Sequence, residues 1–374
     1  MARRILYVVT EDWYFLSHRL PMARAAKRAG YEVHVASRLK NGKAAIEAEG
    51  FVPHGLSWSR GSLSPLDSLS AVVELRRLMR AVEPGLLHNV ALKPVLLGSV
   101  ASLGFSECAV VNSVTGLGTL FAEPDENGLT RRVVGLALSR LLRRKRAITV
   151  VQNPDDRNFF LTLGVPQENI VLIPGSGVDT GRLVPLPEPA PPITCAYVGR
   201  MLKLKGVTTL IEAFSLLGKR GVPLRLLLAG DCDRENPGSL APEQLREFAS
   251  LYGIHWLGHV ADIRDVWAQA HFAVLASRGG EGLPMSLLEA AACGRAMVAT
   301  DVPGSREIAI NGETALTVPP DDPAALAEAM AKMASDAKMR KRFGANARAL
   351  VEREFSAEAI GRQTVALYDS LIAS

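Results

Sequence analysis

Residues Arg182–Pro192, RLVPLPEPAPP, place five prolines in eleven positions with neither a helical nor a strand period. Proline removes a backbone donor and restricts φ, so this stretch reads as a stiff spacer. The same pattern runs on both sides of it. Before it, Ile5–Thr10, Tyr31–Ser37, Leu86–Val90, Ala109–Val114, Ile148–Gln152 and Ile170–Ile173 read as strands, with helices over Ser17–Ala29 and Leu66–Val82. After it, strands fit Ile193–Val198, Leu224–Ala229, Ile254–Leu257, Phe272–Ala276 and Met297–Thr300. Helices fit Leu210–Leu217, Glu243–Ser250 and Met285–Ala292. Strands that alternate with helices need crossover connections, which make a parallel sheet covered on both faces. The expectation is two α/β domains, 1–181 and 193–355, with a cleft between them where open sheets take ligands. Residues 356–374 carry an amphipathic stretch, Ala357–Ala373, expected to pack back on the first domain.

Composition agrees with a folded, two-domain chain. The 374 residues are 48% hydrophobic, with a formal net charge of +5. That length suits two domains at about 100–200 residues each. The charge is uneven: residues 1–180 hold 22 Lys and Arg against 16 Asp and Glu, and the rest hold 21 against 22. An anionic partner is therefore expected on the first half. Cys108, Cys195, Cys232 and Cys293 have no short paired spacing, which suits reduced, packed thiols better than disulfides or a zinc site. After Arg3 and Arg4 the apolar run Ile5–Val9 stops at Glu11 and Asp12, too short for a secretory signal. No stretch has the roughly 18 apolar residues of a membrane span.

The chemistry concentrates in the second half. Val198-Gly199-Arg200 ends a strand, and Lys203, Lys205 and Gly206 come just before a helix. Free N–H groups at a helix start and two cations suit a phosphate. The helix end alone is worth ~0.3–1 kcal/mol, so the cations must carry most of the affinity. A basic surface loop would show the same residues. Further on, Gly280-Glu281-Gly282-Leu283-Pro284-Met285-Ser286-Leu287-Leu288-Glu289 places one glutamate before a helix and one inside it. Pro284 suits the first helical turn, and the amides of Leu283, Met285 and Ser286 are expected to face the cleft. Carboxylates accept hydrogen bonds from sugar or ribose hydroxyls.

These motifs, with Ile173-Pro174 and Gly177-Val178-Asp179 before the spacer and Val298-Ala299-Thr300-Asp301-Val302-Pro303-Gly304 after it, resemble the retaining family 4 glycosyltransferases. The resemblance spans nearly the whole chain and implies the GT-B fold, two Rossmann-like domains with a cleft between them. The first half, with His88-Asn89-Val90-Ala91-Leu92-Lys93-Pro94 and Val114-Thr115-Gly116-Leu117-Gly118, looks most like transferases that extend polyprenyl-diphosphate-linked sugars of bacterial capsule, O-antigen or N-glycan. The resemblance implies that Gly199, Arg200 and Lys205 hold the diphosphate of a UDP-sugar, with Arg200 and Lys205 stabilising it as it leaves. It implies that Glu281 binds the donor sugar, that Gly282, Leu283 and Met285 line the site, that Glu289 takes the ribose hydroxyls, and that the main chain of Val260 meets the base. No metal is then required. Many relatives carry a histidine on the reacting face where this chain has Thr115. Candidates on the acceptor side are Ser17 and His18, in the loop after the first strand, with His88, Lys93 and Thr115. The transferred group is expected to be a hexose or N-acetylhexosamine.

Some features read two ways. Asp231-Cys232-Asp233 is either a D-x-D metal pair or a turn with solvated carboxylates. Leu129–Arg146, LTRRVVGLALSRLLRRKR, aligns Val134, Leu138, Leu141 and Leu142 on one helical face beside seven basic residues. That suits either an anionic membrane surface or a core-packed helix with a solvated basic face. No nucleic-acid-reading motif accompanies the cations. The whole points to a cytoplasmic enzyme peripheral on the inner face of the membrane. The rivals are a nucleotide-sugar epimerase on the same fold, which should lack the paired glutamates, and a non-catalytic two-domain sugar-binding protein, which would normally be exported.

Overall fold

The computed structural model describes residues 3–58, 64–116 and 128–373. Leu117 and Gly118, part of one motif above, lie outside these. The chain divides into two compact units, Met1–Gly177 with Ala357–Ser374, and Val178–Ser356.

The first unit is built on β1 (Arg4–Glu11), β2 (Glu32–Arg38), β3 (Val52–Gly55), β4 (Leu86–Val90), β5 (Ala109–Ser113), β6 (Ala147–Val151) and β7 (Ile170–Leu172). They pair in the order β3-β2-β1-β4-β5-β6-β7, every pair parallel. Covered on both faces, β4 and β5 are buried along their whole length. The helices are α1 (Asp12–His18), α2 (Leu20–Arg28), α3 (Lys43–Ala48), α4 (Pro65–Val82), α5 (Leu92–Ala101), α6 (Gly128–Leu142) and α7 (Pro154–Thr162). Where one helix was expected over Ser17–Ala29, two meet at Arg19. The cause is Pro21, which has no N–H for the preceding turn and restricts Leu20. Strand β3 carries Pro53, which hides it in the sequence and is tolerated because β3 is an edge.

The second unit repeats the plan with β8 (Thr194–Val198), β9 (Arg225–Ala229), β10 (Ile254–Gly258), β11 (Phe272–Leu275), β12 (Ala296–Thr300) and β13 (Ala315–Val318). Their order is β10-β9-β8-β11-β12-β13, again all parallel. Its helices are α8 (Val207–Lys219), α9 (Pro242–Ala249), α10 (Arg264–Trp267), α11 (Met285–Ala292), α12 (Pro323–Ser335) and α13 (Ala337–Leu350).

The proline-rich segment differs from the expected spacer. Leu183 is buried in the second unit's core, and Leu186 N donates to Cys293 O at 3.1 Å. Arg295 donates to the carbonyls of Leu186 and Pro187 at 3.0 and 2.8 Å. Arg340 binds Glu188. The segment's prolines lack N–H donors, so buried Arg295 supplies two of its carbonyls and Arg340 its Glu188 carboxylate from the unit beneath. The segment is a strap on the second unit.

The last helix, α14 (Ala357–Ala373), packs on α2 in the first unit. Gly361 makes this possible: a Cβ there would stand 2.8 Å from the Ala25 Cβ. Tyr368 is fully buried and its hydroxyl lies 2.8 Å from that of Tyr7. Arg146 Nη2 donates to Leu371 O at 3.1 Å near the helix end. Gly361→Val should force α14 off α2 and lower stability by about 1–3 kcal/mol, an overpacking cost. A urea melt that leaves the midpoint unmoved would contradict this packing.

Candidate functional site

In the second unit the chain runs outward from β8 in both directions, so β8 and β11 are neighbours with their crossovers diverging. Open sheets bind ligands at the carboxyl ends of such a pair. The carboxyl end of β8 leads into Gly199, Arg200 and the turn Lys203–Lys205, and that of β11 leads into Ser277 and Glu281. Residues far apart in sequence thereby share one sheet edge.

Close backbone contact brings the two loops together. Gly206 has φ +70°, and a Cβ there would lie 1.7 Å from the carbonyl oxygen of Ala276, just past β11. Only glycine fits. Beside it, the Lys205 ammonium bonds a Glu281 carboxylate oxygen, which also accepts from Ser277 Oγ at 3.2 Å. Arg200 Nη1 donates to Asp233 Oδ2 at 2.7 Å, and Tyr197 OH donates to Arg200 O at 2.8 Å. Each phosphate-binding candidate thus has a carboxylate counter-ion. Asp233, read as half of a metal pair or as a solvated turn, is the partner of Arg200. Its side chain is only 12% exposed. Among the described residues no three His, Cys, Asp or Glu gather as metal ligands.

Helix α11 follows. Pro284 is its N-cap and not part of its first turn as expected; its carbonyl accepts from Leu287 N and Leu288 N at 3.1 and 3.3 Å. Met285 and Ser286 are half-buried, whereas the Gly282 and Leu283 residues are buried. Glu289, in the second turn, is half-buried; its backbone carbonyl accepts from Cys293 N at 3.0 Å, while its carboxylate has no hydrogen bond or ion pair with any described residue. Burial raises its pKa to about 7, and the nearby charge of Arg182 acts in the opposite direction. A carboxylate desolvated without a partner is costly to the fold, which marks a group kept for something other than stability. Val260, half-buried, lies two residues past β10.

The first unit distributes its candidates differently. Ser17 and His18 are in the last turn of α1, not in a loop; Ser17 Oγ donates to Trp13 O at 2.8 Å and His18 stacks on Tyr14. Trp13 is exposed and Phe15 is buried. Lys93 and Thr115 follow the adjacent strands β4 and β5, whose ends are tied by Ala91 N donating to Ser113 O at 2.9 Å. Burial lowers the pKa of Lys93.

His88 does not belong with them. It is the third residue of β4, buried, with Nδ1 at 2.5 Å from Tyr368 OH and Nε2 at 2.6 Å from Ser113 Oγ. Burial holds its pKa well below the ordinary value, with Arg19 adding to the effect. Both ring nitrogens are occupied inside the core, so it is a structural histidine.

The apolar stripe of the basic stretch takes the core-packed form of its two readings. Leu138 and Leu142 are buried beside Val95, Val114 and Phe160, with Val134 against them. The apolar stripe therefore belongs to the core. Several cations are structural: Arg143 donates to Leu163 O at 3.2 Å, and Arg144 to Ser102 Oγ at 2.8 Å. The outward face of α6 carries Val133 and Leu136 instead, each more than half exposed. Their i, i+3 spacing was visible in the sequence but competed with the longer inward stripe.

Comparison with known proteins decides the class. Residues 4–153 match the family described as glycosyl transferase 4-like, and residues 192–336 match glycosyl transferases group 1. The chain is a glycosyltransferase. It is 22% identical to the capsular polysaccharide biosynthesis glycosyltransferase CapM of Staphylococcus aureus, covering 99% of this chain and 98% of CapM. It is 25% identical to the N,N'-diacetylbacillosaminyl-diphospho-undecaprenol alpha-1,3-N-acetylgalactosaminyltransferase of Campylobacter jejuni, over 96% of this chain and 98% of that one. HepE of Anabaena, solved in complex with UDP and glucose, superposes with a TM-score of 0.80 at 17% identity, over 98% of this glycosyltransferase and 99% of HepE. A glycosyltransferase from Rickettsia africae superposes with a TM-score of 0.80 over 99% of each chain, at 18% identity. These likenesses establish GT-B architecture over the whole chain.

The environment of Glu289 can be tested without substrate. Its folded pKa lies above that of an unfolded glutamate, so the folded state loses stability as pH rises from about 4.5 to about 7. Glu289→Gln should therefore gain stability over the native protein at pH 8 and not at pH 4. Equal differences at both pH values in chemical denaturation would refute the raised pKa.

Proposed function

We propose that this glycosyltransferase moves a hexose or N-acetylhexosamine from a UDP-sugar to a polyprenyl-diphosphate-linked sugar, with retention of anomeric configuration, in assembly of a surface polysaccharide or glycan. The observation that carries the proposal is the pair of ion pairs at the ends of β8 and β11, Arg200–Asp233 and Lys205–Glu281, with Glu289 partnerless nearby in sequence. Two cations held ready by carboxylates suit a diphosphate, whose oxygens take the place of those carboxylates. Released from Lys205, Glu281 accepts from a donor-sugar hydroxyl, and Glu289 accepts from the ribose hydroxyls. The Val260 main chain meets the base, and the amides of α11 face the site. The named substrates of the Campylobacter relative and the ligands of HepE support the choice of acceptor and donor.

The bond from the sugar's anomeric carbon to the diphosphate breaks as Arg200 and Lys205 stabilise the charge left on the leaving group. The acceptor hydroxyl attacks from the same face, and its proton passes to the departing phosphate oxygen. No side-chain base and no metal ion is needed for that transfer. In the first unit we assign Lys93 and Thr115 to the acceptor side, with Ser17 and His18 at the end of α1. Glu289→Ala and Arg200→Ala should each lower turnover by at least about 100-fold, the scale of removing one transition-state donor, with melting curves intact. EDTA should leave turnover unchanged. Near-native turnover in both variants, or loss with EDTA that manganese restores, would overturn this assignment.

We further propose a peripheral location on the cytoplasmic face of the membrane. No helix among the described residues is long and apolar enough to cross a membrane. The support is the outer face of the layer in which α5 lies between α4 and α6: Leu66 and Leu69 of α4 are exposed, as are Val133 and Leu136 of α6 between Arg132 and Arg140. Apolar residues among cations suit an anionic lipid surface. Replacing Leu66, Leu69, Val133 and Leu136 with serine should reduce sedimentation with phosphatidylglycerol vesicles and spare UDP binding. Undiminished sedimentation would refute this face.

A further inference from the structure

A turn just before the proline-rich strap fixes the strap's first residue, Arg182. Asp179 Oδ1 accepts from the backbone N–H groups of Gly181 and Arg182 at 3.0 and 2.9 Å, and Leu183 N donates to Asp179 O at 2.8 Å. This turn holds the backbone of Arg182. On its far side the strap is anchored: Leu183 is buried, and Arg348 binds the carbonyls of Thr180, Leu183 and Ala292. Arg182 is thus carried by a rigid element, which suits a binding residue.

Its side chain reaches the loop that follows β10. One Arg182 Nη2 lies 3.3 Å from Asp262 Oδ1, two residues past Val260. Asp262 is already served by Arg264, through Nε at 2.9 Å, a second guanidinium nitrogen and the backbone N–H at 3.1 Å. Asp262 therefore does not need Arg182, and two arginines share one carboxylate. That leaves most of the five donors of Arg182 without an acceptor among the described residues. On the other side the Arg182 charge acts on Glu289, on α11. The guanidinium therefore stands at the loop assigned to the base, and its charge is felt at the carboxylate assigned to the ribose.

We propose that Arg182 is a further donor-binding residue, contacting the nucleoside end of the nucleotide and donating to the carbonyl oxygens of its base. Ribose hydroxyls satisfy Glu289 as donors, so the acceptor-only groups left at that end are the base carbonyls. The strap is then one wall of the nucleotide site, which gives its rigidity a use. This rests on the reading of a UDP-sugar donor.

Titration calorimetry or ligand-observed NMR of the whole protein with UDP and with uridine tests it. Arg182→Ala should weaken both ligands by the same factor, about tenfold for a charge-assisted hydrogen bond. Arg200→Ala should weaken UDP and leave uridine unchanged. Arg182→Lys, which keeps the charge and loses the planar fork, should fall between Arg182→Ala and the native protein. Unchanged uridine affinity in Arg182→Ala overturns the inference, as does a loss confined to UDP, which would place Arg182 at the diphosphate. If the native protein binds no UDP, the donor reading fails instead.

Discussion

Parallel pairing of β8 with β11 is the constraint on which the second unit's chemistry depends. Between these neighbours the chain makes two complete crossovers, through β9 and β10, before it returns to the other side of β8. Their carboxyl ends therefore lie side by side while the helices that follow diverge. A basic loop and the loop that carries Glu281 end at that edge, and Gly206 lets them touch backbone to backbone. Replacing either strand pairing with another order would leave Arg200, Lys205 and Glu281 as ordinary surface charges. The first unit uses the same device at β1 and β4, with α1 and Lys93 following those strand ends.

Both cations in the second unit are held by carboxylates. Partly exposed pairs of this kind add at most about 1 kcal/mol to stability. Their value is in geometry: a guanidinium held by Asp233 and an ammonium held by Glu281 do not need to be ordered when an anion arrives. The same logic accounts for Glu289. Its raised pKa reflects a desolvation cost that the nearby charge of Arg182 offsets only in part, and a ligand with paired hydroxyl donors would offset more of it. Electrostatic strain and readiness for a ligand are one property here.

The fold could be read from the chain because parallel strands buried on both faces leave an unmistakable trace. Segments such as Leu86–Val90 and Met285–Ala292 have the observed bounds, since continuous apolar runs and helix-start prolines are local signals. The break at Arg19 and the edge strand Val52–Gly55 were lost to the same residue type, because proline carries opposite meanings within a helix and on a sheet edge. The paired glutamates and the Arg200–Lys205 loop were visible as motifs. Their partners were not: Asp233 lies 33 residues from Arg200, and Glu281 lies 76 from Lys205.

Side-chain direction was the recurrent gap. The sequence placed His88 in a strand and offered it to the acceptor side, yet its position within β4 points it at Tyr368, which arrives from the far end of the chain. The basic helix had its apolar stripe identified correctly, but only packing against Val95 and Phe160 shows that this stripe faces inward. The proline-rich segment is the sharpest case. Composition determined that it is stiff and irregular, a consequence of restricted φ and missing donors. Whether a stiff segment hangs free or lies against a domain depends on who supplies donors to its carbonyls and to its one carboxylate, Glu188. Arg295, Arg340 and Arg348 are distant in sequence, and only the tertiary structure brings them underneath it.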